Sequence, residues 1–169
     1  MSLFKRLRNL IGGPAPAPAA ERSILTVGPG DVCEVSLITY QVTGSIRNHQ
    51  RNTAMLTLQD GTDFRYLLIE ERELTVFALY APIDGRLDSI EEVPMTLELD
   101  DRVFHMEEHY AGFVVPAGKT PFMRGGDQAV WNYQTDDKRL LRVEWMDGRF
   151  VLYEGETVLP ADVRIIRGS

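Results

Sequence analysis

From Ile24 onward, apolar and polar residues alternate with a period of two, which is typical of half-buried β-strands and not of helices. The first runs place Cys33, Val35 and Leu37, and then Ile38, Tyr40 and Val42, between polar neighbours. Turn-forming pairs separate the runs, at Asp60-Gly61, Asp84-Gly85, Asp100-Asp101, Asp136-Asp137 and Asp147-Gly148. The pattern predicts about a dozen short strands joined by hairpin turns.

The rest of the body continues this pattern. Further runs in the first half contain Ala54, Leu56 and Leu58, then Phe64, Tyr66 and Leu68, then Leu74, Val76 and Ala78. In the second half we predict strands at Met95–Leu99, Val103–Met106, Ala111–Val115, Ala129–Tyr133, Arg139–Trp145, Phe150–Tyr153 and Asp162–Ile166. Residues 116–127 read as a loop, and Ser89–Glu92 as one helical turn at most. The predicted fold is all-β, either an antiparallel sandwich or two small barrel-like halves.

Two segments of the body, residues 54–80 and 129–153, resemble each other in sequence. The aligned positions are Gln59 with Gln134, Arg65–Glu70 with Arg139–Glu144, and Phe77–Tyr80 with Phe150–Tyr153. One residue is dropped in each of the two intervening gaps. The match predicts an internal duplication, with halves at residues 24–93 and 94–167 that share one core.

The first eleven residues follow a different pattern. Their apolar side chains fall at the spacing of one helical face, and the opposite face is basic and polar. The apolar positions are Leu3, Phe4, Leu7, Leu10 and Ile11, and the basic ones are Lys5, Arg6 and Arg8. Because the bases interrupt the apolar residues, the segment lacks the continuous apolar region of a signal peptide. We predict a short amphipathic helix over residues 1–11, too short to be stable alone in water.

A linker rich in Pro and Ala separates this segment from the body. Residues 12–20 begin with two glycines that end a helix, and the alternating prolines that follow favour an extended backbone. At ~3.1 Å per residue, this linker spans roughly 28 Å. The predicted organisation is an amphipathic basic segment over 1–11, a linker over 12–20 and an all-β domain over 21–169.

Composition excludes several classes of protein. The 169 residues carry a formal charge of −7, which argues against a nucleic-acid-binding protein, because Lys and Arg neutralise phosphates in such proteins. The single cysteine, Cys33, excludes an intrachain disulfide and fits a reducing cytoplasm. No apolar run approaches the ~18 residues that a transmembrane helix needs. We therefore expect a cytoplasmic globular protein.

The charge is unevenly distributed along the chain. Residues 1–11 contain three bases and no acid, so residues 12–169 carry −10. A basic amphipathic segment on a spacer is typical of binding to an anionic membrane surface or to a groove on a protein partner. Membrane binding would make the protein peripheral at the inner membrane face. The alternative is that the apolar stripe docks on the chain's own body.

Several motifs of the body occur in the order and spacing of a known family. They are Val27–Val32, Tyr40–Gly44, Phe104–His109, Leu140–Trp145 and Phe150–Gly155. Over roughly residues 24–167 the chain resembles the bacterial domain-of-unknown-function family numbered 4178, and Met1–Leu7 is similar to the start of many members. The resemblance implies a cytoplasmic accessory protein in a membrane-stress context, without assigned chemistry.

One segment has the spacing of a zinc site. His105-Met-Glu-Glu-His109 matches the His-x-x-Glu-His signature of inverted zincin peptidases, which needs both histidines on one helical face. The surrounding pattern is strand and loop, which would put His105, Glu107 and His109 on one face and misplace Glu108. We expect surface strand residues here, with no metal and no cofactor. A small metal-dependent hydrolase using His105, Glu107, Glu108 and His109 is the alternative.

A second candidate site combines carboxylates with aromatic side chains. Glu70 and Glu144 end the aligned strands, and each follows an arginine by five residues. They could act together as acid and base, or pair with Arg65, Arg139 or Arg142 in the sheet. A candidate ligand groove comprises Glu70, Glu144, Trp131, Trp145 and Tyr153, although aromatic residues in strands usually pack in a core. Cys33, between valines, is predicted to be a buried and inert thiol.

Together these patterns predict a non-enzymatic interaction or accessory module with no assigned catalytic residue. Its N-terminal segment would dock on an anionic membrane surface or an unknown protein partner. The metal-dependent hydrolase is the main alternative, and a structural subunit of a larger assembly is a third.

Overall fold

A computed structural model describes residues 23–85 and 87–168. The predictions made for residues 1–11 and for the linker lie outside the described residues. The strands are β1 (Val32–Val35), β2 (Ile38–Asn48), β3 (Thr53–Asp60), β4 (Asp63–Glu71), β5 (Thr75–Ile83), β6 (Thr96–Leu99), β7 (Arg102–Gly118), β8 (Gly126–Gln134), β9 (Leu140–Met146), β10 (Arg149–Val158) and β11 (Val163–Ile166). Single 3₁₀ turns occur at Ile24–Thr26, Ile90–Glu92 and Pro160–Asp162.

Eight of these strands close into one antiparallel barrel. The strand order is β11-β1-β2-β3-β4-β5-β10-β9-β8-β7-β6, and a further pairing of β2 with β7 closes the ring. At this seam, Gly44–Arg47 pairs with Val115–Gly118. The all-β prediction is confirmed. The sequence predicted either a sandwich or two small barrel-like halves, and the structure is a single closed barrel with extra strands at its seam.

The sheet contains two meanders with the same strand order, β1 to β5 and β6 to β10, of which β2 to β5 and β7 to β10 form the barrel. The β1–β2 hairpin turns on Ser36-Leu37 and the β6–β7 hairpin on Asp100-Asp101, and all four residues have positive φ. A register shift follows at the same distance from each turn, between Val42 and Gly44 in β2 and between Met106 and Glu108 in β7. The two meanders therefore share their turn geometry and the position of a β-bulge as well as their strand order.

Each bulge moves its strand from an outer layer into the barrel wall. Before the bulge, Tyr40 and Val42 pack in an apolar cluster with Leu56, Leu67 and Ile69. After the bulge, Ile46 packs instead with Val114, Phe122 and Met146. A one-residue shift in a strand exchanges its two faces, so the side chains beyond the bulge point into the barrel. In β7, Phe104 and Met106 likewise pack in the outer cluster of the second meander.

One end of the barrel is closed by an apolar plug. Phe122, from the loop between β7 and β8, is 5% exposed and packs against Ile46, Val114 and Met146. The Arg149 guanidinium lies 5.2 Å from the centroid of the Phe122 ring and donates a hydrogen bond to the Pro121 carbonyl. The middle of the interior contains Met55, Leu68, Tyr80 and Tyr153. The interior is therefore filled at this end and in its centre.

Several local predictions are refined by the structure. Leu37, predicted to continue the first strand, lies in the turn at φ 70° and is 91% exposed. The two strands predicted within β7 form one long strand, and the predicted loop over 116–127 is correspondingly shorter. The helical turn predicted at Ser89–Glu92 is confirmed: the Ser89 hydroxyl accepts a hydrogen bond from the backbone N–H of Glu91.

Cys33 is buried in the outer cluster of the first meander, and burial raises the pKa of its thiol to about 12. A thiol with that pKa stays protonated at neutral pH and is a poor nucleophile.

No helix within residues 23–85 and 87–168 is long and apolar enough to cross a membrane.

Candidate functional site

A buried ion pair lies in the interior of the barrel. Arg142 and Glu144 are two residues apart on β9, so both side chains point to the same face, the barrel interior. Leu141, before Arg142, and Val143, between the two charged residues, point outward into the apolar cluster of the second meander. Arg142 Nε and Glu144 Oε2 are 2.8 Å apart, and the two side chains are 4% and 1% exposed. Charges buried this deeply are tolerated only when they are paired and hydrogen-bonded.

The remaining polar atoms of this pair also have partners. Tyr153 donates its hydroxyl hydrogen to Glu144 Oε1 over 2.9 Å. Arg142 Nη1 donates to the Tyr110 hydroxyl at 3.3 Å and to Asn132 Oδ1 at 3.4 Å. These partners come from three other strands, β10, β7 and β8. The network therefore ties together all four barrel strands of the second meander.

The electrostatics of the network keep Arg142 charged and Tyr153 neutral. Burial by itself lowers the pKa of Arg142, but Tyr110 and Glu144 beside it more than offset this and raise that pKa well above its usual value. Burial, together with the Glu144 carboxylate, raises the pKa of Tyr153 well above its usual value. The Tyr153 hydroxyl therefore keeps its proton and remains a hydrogen-bond donor to Glu144.

A second set of contacts links this network to the end of the barrel opposite Phe122. Asn132 Nδ2 donates to Glu108 Oε2 at 3.3 Å, and Arg51 forms an ion pair with the other oxygen of Glu108. The Arg51 guanidinium also lies over the Tyr110 ring, 3.6 Å from its centroid. Stacking of this kind stabilises a cation while it remains partly solvated.

This second end of the barrel contains an open cavity of about 330 Å³. Its apolar lining includes Leu68, Ala78 and Leu140, and its charged lining consists of Glu70, Arg72, Glu107 and Glu108. Arg72 pairs with Glu70 at 2.7 Å. Cavities of this size in the mouths of β-barrels commonly hold small ligands.

Tyr80 also lines the cavity, although its side chain is 4% exposed. Its hydroxyl makes no hydrogen bond with any of the described residues, whereas Tyr153 of the second meander bonds to Glu144. Burial raises the pKa of Tyr80 to about 12. At neutral pH the cavity therefore has a neutral phenol at its inner side.

The residues of the predicted ligand groove are divided between two faces of the barrel wall. Glu144 and Tyr153 are in direct contact inside, and Glu70 lines the open cavity. Trp131 and Trp145 belong to the outer apolar cluster, as their alternative core role predicts. Each of the two glutamates also has an arginine partner two residues away in the sequence: Arg72, just beyond the end of β4, for Glu70, and Arg142, on β9, for Glu144. The other two arginines considered, Arg65 and Arg139, bond elsewhere.

The bulge in β7 separates the residues of the zinc signature. His109 stacks on Trp131 of the outer cluster, with ring centroids 4.7 Å apart, and its Nδ1 lies 3.0 Å from the Val130 carbonyl. His105 alternates with Phe104 and Met106, which pack in that same cluster, so His105 points to the opposite face. Glu107 lines the cavity and Glu108 pairs with Arg51. No group of three metal-binding side chains is found in residues 23–85 and 87–168.

Several residues of this site carry no signal of their own in the sequence. Tyr110, Asn132, Arg51 and Tyr80 look like ordinary strand or turn residues, and only the bulge places Tyr110 inside the barrel. Arg142 and Glu144 did carry a signal: two charged residues at alternate positions in Leu-Leu-Arg-Val-Glu-Trp, a strand otherwise apolar. Charges at two successive inward positions of a buried strand indicate a polar interior.

The fold and this site define a closed eight-stranded antiparallel barrel with a charged interior, one plugged end and one open end. By sequence, the chain belongs to the family described as domain of unknown function DUF4178, whose family model matches residues 28–160. This confirms the resemblance drawn from the motifs. No curated protein and no solved structure matches the chain.

Proposed function

We propose that this protein is a non-enzymatic accessory module of the cytoplasm that docks through residues 1–11 on an anionic membrane surface or a protein partner. The observation that carries the proposal is the contrast in charge along the chain. Residues 1–11 have three bases and an apolar stripe, whereas residues 12–169 carry −10. An acidic body is repelled by anionic lipid, so the basic segment would provide both attraction and orientation.

The chemistry of the barrel interior supports a binding role over catalysis. A general acid or base needs a proton that it can exchange with a substrate. Both oxygens of Glu144 are engaged by Arg142 and Tyr153, and the space beside them has a volume of about 10 Å³. That volume is close to the minimum for one water molecule. The pair is therefore suited to holding the barrel strands together.

The shared features of the two meanders support the internal duplication. Two-residue turns with positive φ and bulges at equal distance from them recur in both halves. Such features depend on particular backbone conformations, so their joint recurrence supports one ancestral unit that was copied. We infer that each five-stranded half needs the other to close its barrel, because the halves pair through β2–β7 and β5–β10.

Vesicle flotation tests the docking proposal. The full chain, mixed with vesicles of phosphatidylcholine and phosphatidylglycerol, should float, and should stay in solution with phosphatidylcholine alone. A variant lacking residues 1–13, and a triple variant Lys5→Glu, Arg6→Glu, Arg8→Glu, should both lose flotation. A matched triple variant of exposed body residues makes the same change in net charge: Lys119→Glu, Arg124→Glu, Arg164→Glu. Its flotation should be reduced less than that of the triple variant in residues 1–11.

The outcomes separate the two docking targets. If the full chain and the shortened variant float equally poorly, the membrane target is wrong and a protein partner remains. A partner that co-purifies with the full chain and is lost on deletion of residues 1–13 then supports docking. If neither vesicles nor any co-purifying protein distinguishes the two chains, the proposal is wrong.

A further inference from the structure

The open end of the barrel has the construction of a small-ligand site. Strand ends from both meanders surround a cavity of about 330 Å³, and the opposite end is closed by Phe122. The interior of an eight-stranded barrel is just wide enough to be filled by side chains or to hold one small ligand. The residues that line this site all lie within the described body.

The charges around the cavity favour a cation. Its lining has three carboxylates, Glu70, Glu107 and Glu108, and one guanidinium, that of Arg72. Glu70 is paired with Arg72 and Glu108 with Arg51, which leaves Glu107 without an ion-pair partner among the described residues. An anion would meet this excess of carboxylates, whereas a cation would neutralise the one that is unpaired.

Tyr80 provides a second and independent indication of a ligand. Its side chain is 4% exposed and lines the cavity, and its hydroxyl has no hydrogen-bond partner among the described residues, so the hydroxyl is available to a ligand in the cavity. The strand register explains why the partner is missing. Glu144 pairs with Val151, two residues before Tyr153, and in the first meander Leu68 pairs with Ala78, two residues before Tyr80. Leu68 thus stands where the second meander has its carboxylate.

We propose that this cavity binds a small organic cation, a primary ammonium ion on a short apolar chain. The ammonium group donates hydrogen bonds to the Glu107 carboxylate and to the Tyr80 hydroxyl oxygen. The apolar chain packs against Leu68, Ala78 and Leu140. In this arrangement the Tyr80 oxygen accepts a hydrogen bond from the ligand, whereas the Tyr153 hydroxyl donates one to Glu144.

Three probes with the same carbon chain test this assignment on the full-length protein: n-butylammonium, n-butanol and butyrate. Titration calorimetry measures their dissociation constants, and two-dimensional amide NMR locates the binding. We expect saturable n-butylammonium binding with shifts at residues 68–80 and 107–108, at least about tenfold weaker binding of n-butanol, and the weakest binding for butyrate.

Two variants and one control separate the site from the general charge of the protein. Glu107→Gln should weaken n-butylammonium binding about tenfold, and Tyr80→Phe should weaken it severalfold with little change in fold. Glu34→Gln removes one charge from β1, which contributes no residue to the cavity, and should leave binding unchanged. Binding by a variant lacking residues 1–13 should equal that of the full chain, which distinguishes this proposal from N-terminal docking.

Three results would overturn the proposal. One is the absence of saturable n-butylammonium binding. Another is butyrate or n-butanol binding at least as tightly, which would indicate an anion site or a purely apolar one. The third is a loss on Glu34→Gln equal to that on Glu107→Gln, which would mean that the cation responds only to net charge.

Discussion

At the scale of single residues, the Arg142–Glu144 pair dominates the barrel interior. Removing two charges from water costs several kcal/mol per ion, and mutual attraction offsets this only when the remaining polar atoms are also bonded. Here Tyr153, Tyr110 and Asn132 bond to those atoms. The pair is therefore stable as a unit, and each partner is costly without the other.

Removing one partner of this buried pair should lower the free energy of unfolding far more than removing a surface ion pair. We expect Arg142→Met to lower the free energy of unfolding by about 3–5 kcal/mol, because Glu144 is left charged and buried without its cation. Urea denaturation followed by tryptophan fluorescence measures this. Combining Arg142→Met with Glu144→Leu should recover much of the loss, because no buried charge then remains.

Arg102→Met is the matched control for this prediction. Arg102 is 43% exposed and lies 3.6 Å from Glu154, so its pair with Glu154 should contribute at most about 1 kcal/mol. A loss on Arg142→Met no larger than that on Arg102→Met would contradict the structural role of the buried pair.

The sequence predicts part of this site at the residue level. The alternation in β9 identifies Arg142 and Glu144 as neighbours on one face, and the repeat draws attention to Glu70 and Glu144. However, Glu70 and Glu144 are not equivalent in the sheet. Glu144 pairs with Val151 of β10, and the β5 residue that aligns with Val151 is Ala78. Ala78 pairs with Leu68 and not with Glu70, so the strand register differs by two residues from the sequence alignment. Pairing register depends on turns and bulges, which residue matching alone does not measure.

At the scale of elements, the seam between β2 and β7 is what closes the barrel. Gly44 lies at this seam, where it pairs with Gly118. A Cβ atom at Gly44 would lie 1.8 Å from the Lys119 carbonyl oxygen, and Lys119 itself donates a backbone hydrogen bond to Thr43. The obstructing atom is backbone, so it cannot rotate away as a side chain would.

Gly44→Ala should therefore open or strain the seam. We expect a loss of about 3 kcal/mol or more in the free energy of unfolding, together with faster amide hydrogen exchange in Gly44–Arg47 and Val115–Gly118. Gly28→Ala is the control, since a Cβ there meets only ordinary contacts, the nearest at 3.7 Å from the Ser45 hydroxyl oxygen. Equal stability of the two variants would show that the seam tolerates separation.

The strands could be predicted from the sequence far better than their arrangement. Period-two alternation locates nearly every strand, since one face of each is apolar. It fails at the bulges: Tyr40, Val42 and Ile46 follow a period of two and are therefore expected on one face, but the bulge between Val42 and Gly44 turns Ile46 to the opposite face. Closure of the barrel depends on pairings between residues far apart in the sequence, such as Gly44 with Gly118, and no local pattern encodes these.

At the scale of the whole molecule, Asp31 fastens the two ends of the described chain together. Its carboxylate accepts hydrogen bonds from the backbone N–H groups of Gly28 and Gly168, at 3.0 and 2.7 Å, and pairs with Arg167 at 3.4 Å. Burial alone raises the pKa of Asp31, but the Gly168 and Gly28 bonds and Arg167 outweigh it, so the pKa lies below its ordinary value of 3.8. These contacts hold β11 beside β1.

A lowered folded-state pKa makes this contribution dependent on pH. The stabilisation is complete above the ordinary pKa of 3.8 and is lost as pH falls through the lower pKa of the folded protein. Asp31→Asn should therefore cost about 1 kcal/mol at pH 7, and the difference from the parent chain should shrink below about pH 4. Thermal unfolding from pH 3 to 7 measures the difference.

Asp127→Asn provides the comparison, since it removes the same charge from an exposed residue. If the cost of Asp31→Asn were constant across this range, or grew as pH fell, the charged form of Asp31 would not be the one that joins the chain ends.

The closed end formed by Phe122 has a kinetic consequence for anything held in the barrel. A ligand enters and leaves a barrel with one opening along the same path. By microscopic reversibility, a substitution that narrows the opening slows association and dissociation by the same factor and leaves the dissociation constant unchanged. Substitutions at the rim would then change the residence time alone, and substitutions deeper in the cavity would change the affinity.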